Sequence, residues 1–325
     1  MFIHGLFPIF LHKGGNMTRY ILKRVAFMVL SIIVVSAATF WMMHSVPGNP
    51  LATRARKNLP EQVLANYNKK YGLDKPVATQ YALFVKNALQ GDFGESIIYP
   101  GQQISKTIAK TAPVSGKLGL ISIFFGFTIG VAFGFIAALN RGKWPDFLVI
   151  TIAILGVTIP SFVMASLLQY FFGAKLKWFP ITYRKGNWKS FVMPIIALSF
   201  GTIATYARYM RSSVLEVINS DYVLTARAKG VTEMGILFKH ILKNAMIPAV
   251  TILGPQITGV FAGSFIIEKI FNIPGLGQFL VSSIGSRDYP FIISTTVLFG
   301  FLFVLSQLIV DIVYGFLDPR IKLAE

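Results

Sequence analysis

Long apolar runs, each closed off by charge, set the layout of this chain. They cover Val25 to Val46, Leu118 to Leu139, Phe147 to Phe172, Ser190 to Ala207, Ala245 to Ile267 and Phe291 to Val310. At about 1.5 Å per residue a helix over the first run reaches about 33 Å, enough for a hydrocarbon layer of about 30 Å. The pattern therefore predicts an all-α integral membrane protein with six transmembrane helices. Pro160, Pro194 and Pro255 fall inside three of the runs. Neighbouring helices can satisfy the backbone groups that these prolines free, so kinks are expected there.

The polar remainder divides into residues 1–24, an excursion over 47–117, a loop over 208–244 inside the core region 118–315, and a tail over 316–325. The excursion is too long for a turn and carries helical signals of its own. Val77, Tyr81, Phe84, Val85, Ala88 and Leu89 fall on one face at helical spacing, and Val63, Leu64, Tyr67 and Tyr71 do so less strongly. Pro60 and Pro76 stand where helix starts tolerate proline. The loop is different in kind: Asp221 to Pro248 is polar, basic, helical and punctuated by glycine, between two apolar runs. Such a segment needs a partner outside the bilayer. Within it Ala226, Arg227, Ala228, Lys229 and Gly230 alternate small residues with cations, so that backbone can come close to a partner while the cations reach for acids or carbonyls. Gly230 permits either a close contact or a plain helix terminus.

Gly126, Gly130 and Gly134 place a small residue at every fourth position of the second run, and Gly259 and Gly263 repeat the spacing in the fifth. Such a face lets another helix approach closely. It reads as ordinary helix packing or, alternatively, as a seam that slides during transport.

Composition agrees with the membrane assignment, at 54% hydrophobic, 14% charged and a mean hydropathy of +0.61. The absence of cysteine excludes disulfides, thiolate metal sites and cysteine nucleophiles. The net charge of +18 lacks the aromatic interleaving of a nucleic-acid surface, so anionic membrane lipid is its expected counterpart. No phosphate-binding loop of the GxxxxGK type and no HExxH are present, so no catalytic, cofactor or metal residues are assigned, and any ATP is hydrolysed on another subunit. His44, near the end of the first run, reads as an interfacial side chain making one hydrogen bond, and His240 as a solvated or partner-facing residue. Asp311 closes the sixth run, where an interfacial cap or ion-pair partner is simpler than a coupling-ion site.

Within Asp221–Pro248, the run Thr225 to Gly230 (TARAKG), followed by a basic helix and Asn244 to Pro248 (NAMIP), resembles the ATPase-coupling loop of ABC-importer permeases of the peptide/nickel class. Leu224, Thr225 and Ala226 occupy the triplet that reads Glu-Ala-Ala in the wider superfamily, so two of its three positions depart from that pattern. Further matches are Pro47-Gly48-Asn49-Pro50, Tyr71-Gly72-Leu73-Asp74-Lys75-Pro76, Gly91-Asp92-Phe93-Gly94, Ile273-Pro274-Gly275-Leu276-Gly277 and Asp318-Pro319-Arg320, with Asn49 where the family often has Asp. The resemblance runs from about Met17 to Lys322. It implies a type I importer permease of the oligopeptide/dipeptide class, with an extracytoplasmic insertion over 47–117 and no catalysis of its own. It also implies a homologous second (C-type) permease, two cytoplasmic P-loop ATPase subunits that bind ATP and Mg, an external substrate-binding lipoprotein and a peptide substrate. Nickel permeases share much of the pattern. Asp221, Tyr222, Thr225, Ala226, Arg227, Ala228 and Gly230 are then expected to form the ATPase contact.

With both termini inside a bacterial cell, 14 of the 31 Lys and Arg residues lie inside and 17 outside, ten of the latter in the long excursion, where the positive-inside rule is weak. The orientation therefore rests on the coupling loop and on Arg19, Lys23 and Arg24 just before the first run. Residues 1–16 precede a second start at Met17, and Lys13-Gly14-Gly15-Asn16 reads as a ribosome-binding site translated in frame.

Overall fold

The computed structural model describes residues 17–45, 75–99 and 101–317. The motifs at 47–50, 71–74 and 318–320, the predicted helix over 63–71 and the first sixteen residues lie outside them, as do the side chain of Asp311 and the surroundings of Gly259 and Gly263.

The described residues form helices α1 (Met17–Ser45), α2 (Val77–Leu89), α3 (Ile104–Leu139), α4 (Trp144–Thr158), α5 (Ser161–Leu168), α6 (Val192–Ile218), α7 (Asp221–Ala228), α8 (Lys243–Thr251), α9 (Leu253–Ile270), α10 (Leu276–Ser286) and α11 (Tyr289–Leu317). A wider π-helical turn, Gln169–Lys175, prolongs α5, and another, Ile236–Leu242, leads into α8. Among these residues four helices are long and apolar enough to cross a membrane, and the α4–α5 pair makes a fifth if counted as one span.

Two of the differences from the predicted spans trace to proline. Instead of a single third span, α4 and α5 meet at 105°. Ile159 is extended, as a residue before proline prefers, and Pro160 becomes the N-cap of α5. The fifth predicted span divides at Ile252, so that Pro255 falls in the first turn of α9, where a helix does not use the missing N–H. Helix α3 starts at Ile104, so the excursion that the sequence carries to Lys117 gives way earlier to a 36-residue rod. Likewise α6 continues to Ile218, and the first part of the 208–244 loop is an extension of that helix.

The core of the bundle is the α3–α6 contact. All three glycines of the α3 stripe face α6. A Cβ on Gly126 would come within 2.6 Å of Thr202, and one on Gly130 within 2.7 Å of the Tyr206 Cβ. One on Gly134 would meet the Ala207 carbonyl and, at 2.7 Å, the Met210 Cβ. Real side chains cannot enter that space, so the backbones lie as close as glycine allows. Gly156 of α4 plays the same part against Ala204, at 2.6 Å. Outward-facing positions are large and apolar, among them Phe27, Leu30, Phe124, Phe147 and Leu148, which suits hydrocarbon rather than water.

The excursion is fastened at both its described ends. From α2, Tyr81 bonds Ser36 at 2.8 Å, while His44 of α1 stacks on Phe40. The two His44 ring nitrogens stand 2.8 Å from the Phe40 carbonyl and 3.0 Å from Gln80 Oε1, one contact more than the sequence suggested. Near α3, Ser96 donates to Asp288, whose other oxygen accepts from the Ile97 N–H at 3.1 Å. Phe93 packs with Ile104, Ile108, Leu276 and Phe291. Met43 at the close of α1 packs with Tyr289 at the start of α11, so these helices are antiparallel. Ala138 at the close of α3 instead joins Met210, Val214 and Val223, which puts the start of α1, the close of α11 and helix α7 at one end of the bundle.

Candidate coupling surface

Helix α7 is eight residues long and could not persist alone in water. It is held by two side chains, Val223 and Ala226, which are buried with Met210, Val214, Ile236, Ile241 and Ala245. This spacing of three turns every other position outward. Asp221, Tyr222, Leu224, Thr225, Arg227, Ala228, Lys229 and Gly230 are all exposed, with Tyr222 at 45% and Leu224 at 52%. Of the seven residues expected at the ATPase contact, six thus share one open surface. Ala226, at 7%, is turned inward and anchors the helix.

Gly230 ends α7 in the left-handed region, at φ +76°. The Val231 N–H reaches back to the Ala226 carbonyl at 3.2 Å and the Gly230 N–H to that of Arg227 at 3.0 Å, the paired bonds of a Schellman turn. Nothing lies within 4 Å of where a Gly230 Cβ would stand, so the turn is exposed as well as left-handed. Arg227 spans it to Glu233 with a two-point ion pair at 3.0 and 3.3 Å. Its guanidinium thus has a partner within the chain.

Behind this surface lies a second pair, its acid buried and its arginine partly exposed. Asp146 in the first turn of α4 is 2% exposed and receives Arg211 of α6 through both oxygens, at 2.6 and 2.8 Å. The Gly142 N–H adds a third bond at 2.9 Å. An aspartate there also faces the positive end of its own helix dipole. The geometry joins the 140–143 loop, α4 and the extended end of α6 into one block beneath α7. Neither residue is legible as half of a pair in the sequence, since a lone acid after an apolar run and an arginine sixty-five positions later carry no pairing signal.

At the far end the Ile273–Gly277 motif wraps a buried carboxylate. Glu268, fully buried, accepts from the Gln278 N–H at 3.1 Å. Ser115 stands beside it, and its hydroxyl accepts from the Leu276 N–H at 2.8 Å. A Cβ on Gly275 would strike this carboxylate, and one on Gly277 would lie 2.5 Å from the Phe265 Cα. Both glycines are therefore there for close approach.

The comparisons with known proteins converge. Residues 130–323 match the binding-protein-dependent transport system inner membrane component family, and residues 17–101 match the N-terminal region of such membrane components. The chain belongs to this family of ABC-importer permeases. The permease is 40% identical over 94% of its length to the dipeptide transport system permease protein of Bacillus subtilis, covering 99% of that protein. It is 39% identical over 94% of its length to the oligopeptide transport system permease protein of Salmonella typhimurium, covering all of it. Among solved structures, it shares the fold of the methionine ABC transporter described as inward facing, at a TM-score of 0.53 and 21% identity over 65% of this chain and 96% of that one. It is thus a multi-pass membrane protein of the dipeptide/oligopeptide permease type and a non-catalytic component of its transporter.

Proposed function

We propose that this permease carries peptides, oligopeptides in preference to dipeptides, inward across a bacterial cell membrane, as one of two homologous membrane subunits. ATP and Mg bind on two separate cytoplasmic P-loop subunits, and an external lipoprotein delivers the peptide. The observation that carries this reading is the likeness to dipeptide and oligopeptide permeases over 94% of the chain. The coupling surface supports it. Helix α7 offers Tyr222 and Leu224 as apolar contacts and Lys229 as a cation, on a platform fixed from behind by Asp146 and Arg211. The ends of α1 and α11 share that end of the bundle, in keeping with cytoplasmic termini. The excursion, tied to α1 and to Asp288 at the opposite end, is then the face that receives the lipoprotein.

The test is uptake of a labelled tripeptide and a labelled pentapeptide in a strain deleted for its own peptide permease and complemented by this chain with its partner subunits. Expected is ATP-dependent uptake of both, the pentapeptide with the higher kcat/KM, undiminished by free nickel. Uptake that nickel abolishes, or uptake by this chain alone driven by a proton gradient, overturns the proposal.

A further inference from the structure

The bend between α4 and α5 opens a cleft of about 350 Å³ against α6 and α9. No residue lining it is charged, yet it displays hydrogen-bonding groups of both signs. In a continuous helix the Gly156 carbonyl would accept from residue 160, but Pro160 has no N–H to give. That oxygen stands against α6, 3.4 Å from where a Cβ on Gly201 would lie. Across the bend, α5 has no side-chain cap, and the Ser161 N–H, in its first turn, has no partner within the helix. Thr202 supplies an independent observation: it lines the cleft, is only 2% exposed, and its hydroxyl makes no hydrogen bond among the described residues. A helical threonine commonly bonds the carbonyl one turn back, as Thr205 does to Gly201 at 2.9 Å. Gln256 of α9 lines the same cleft, and its side-chain amide has no partner among the described residues. Polar groups that face a cleft with no protein partner can be satisfied several at a time by one ligand.

We infer that this cleft holds a stretch of peptide main chain during its passage. The inference rests on the peptide-import reading. A peptide bond offers one N–H and one C=O. The Gly156 carbonyl can take the first, the Ser161 N–H and the Gln256 amide can donate to the second, and Thr202 serves either. A neutral donor and acceptor set suits an uncharged amide, whereas a free metal cation calls for anionic or imidazole ligands. The remaining walls, such as Val157, Leu198 and Val260, are apolar and make no directional demand, so peptide side chains go unread. The volume stands at the small end of ligand sites, about 300–1,000 Å³, which fits a short segment rather than a whole oligopeptide.

The test uses the full complex in proteoliposomes with its binding protein, trialanine, and trialanine with its peptide nitrogens methylated. If the unsubstituted complex takes up no peptide, the import reading fails and this inference falls with it. Given uptake, Thr202→Val and Gln256→Leu are each expected to lower the trialanine transport rate about fivefold to tenfold at saturating loaded binding protein, the loss expected for one hydrogen bond. The binding protein's own affinity stays as it was, and co-purification of the subunits checks assembly. Because the chain has no cysteine, Gln256→Cys gives a single reporter on this subunit, read from the labelled subunit after separation. Trialanine should slow its reaction with a small thiol reagent during turnover, and the methylated analogue should slow it less. Full transport rates in both variants, or labelling that trialanine does not slow while uptake proceeds, overturn the inference. Should Gln256→Leu fail to assemble, the near-isosteric Thr202→Val and the labelling experiment decide.

Discussion

At Gly230 the backbone is left-handed, and any side chain there works against the local conformation. Placing an L-residue in that region costs about 1–2 kcal/mol. Helix α7 has only two buried anchors, Val223 and Ala226, and the second also supplies the carbonyl that Val231 bonds. Gly230→Ala should therefore fray the last turn without preventing membrane insertion. Amide hydrogen exchange at Val231 is expected to quicken about 5- to 30-fold, and Gly230→Asn should have a smaller effect, since asparagine tolerates this region. Exchange unchanged in the alanine variant would show that the turn is fixed by contacts beyond the chain's own hydrogen bonds. The sequence allowed Gly230 two roles, a helix terminus and a close contact. The first is now visible in its φ and its two back-bonds, and the open space around it leaves room for the second.

Among the elements, the α3–α6 seam shows what periodicity alone can reveal. Glycines spaced by four predicted a face for close packing, and Gly126, Gly130 and Gly134 all meet α6. Gly116, on the same rod, has nothing within 4 Å of its missing Cβ. The contrast gives a prediction. Gly130→Leu should lower the thermal unfolding midpoint of the purified permease sharply, since overpacking a tight contact costs about 1–3 kcal/mol or more. Gly116→Leu should leave it nearly unchanged, and equal effects would mean that packing is not what Gly130 serves. The breaks in the predicted spans were only half legible. Proline marks where a backbone bond is missing, but not whether the chain kinks, turns by 105° as at Pro160, or restarts a helix two residues earlier, as before Pro255. The outcome depends on what packs around the gap. Pairings such as Ser36 with Tyr81, Ser96 with Asp288 and Asp146 with Arg211 were not legible at all, because they join residues 45, 192 and 65 positions apart. Spacing along one helix says nothing about its neighbour.

On the scale of the whole molecule, the tryptophans outline where a bilayer would sit. All four are exposed: Trp144 at the α7 end of the bundle, and Trp41, Trp178 and Trp188 at the other. Indole rings favour the two membrane–water interfaces, so Trp144 marks one of them and Trp41, Trp178 and Trp188 mark the other. If the α7 end is cytoplasmic, a cysteine replacing Lys86, exposed on α2, should react with an impermeant thiol reagent added to intact cells. One replacing Lys229 should react only after the membrane is opened, and the reverse pattern would invert the orientation.

Helix α6 carries a mechanical consequence. It runs unbroken for 27 residues, about 40 Å, with Thr202 near its middle and Arg211 and Val214 towards the α7 end. A rod of that length pivoting by about 10° at its centre swings each tip about 3.5 Å, while points near the fulcrum hardly translate and mainly rotate. Force applied beneath α7 would thus arrive at the cleft as a change in the direction of the Thr202 hydroxyl more than as a displacement. A peptide could then be released by losing the aim of a donor, with the walls scarcely moving.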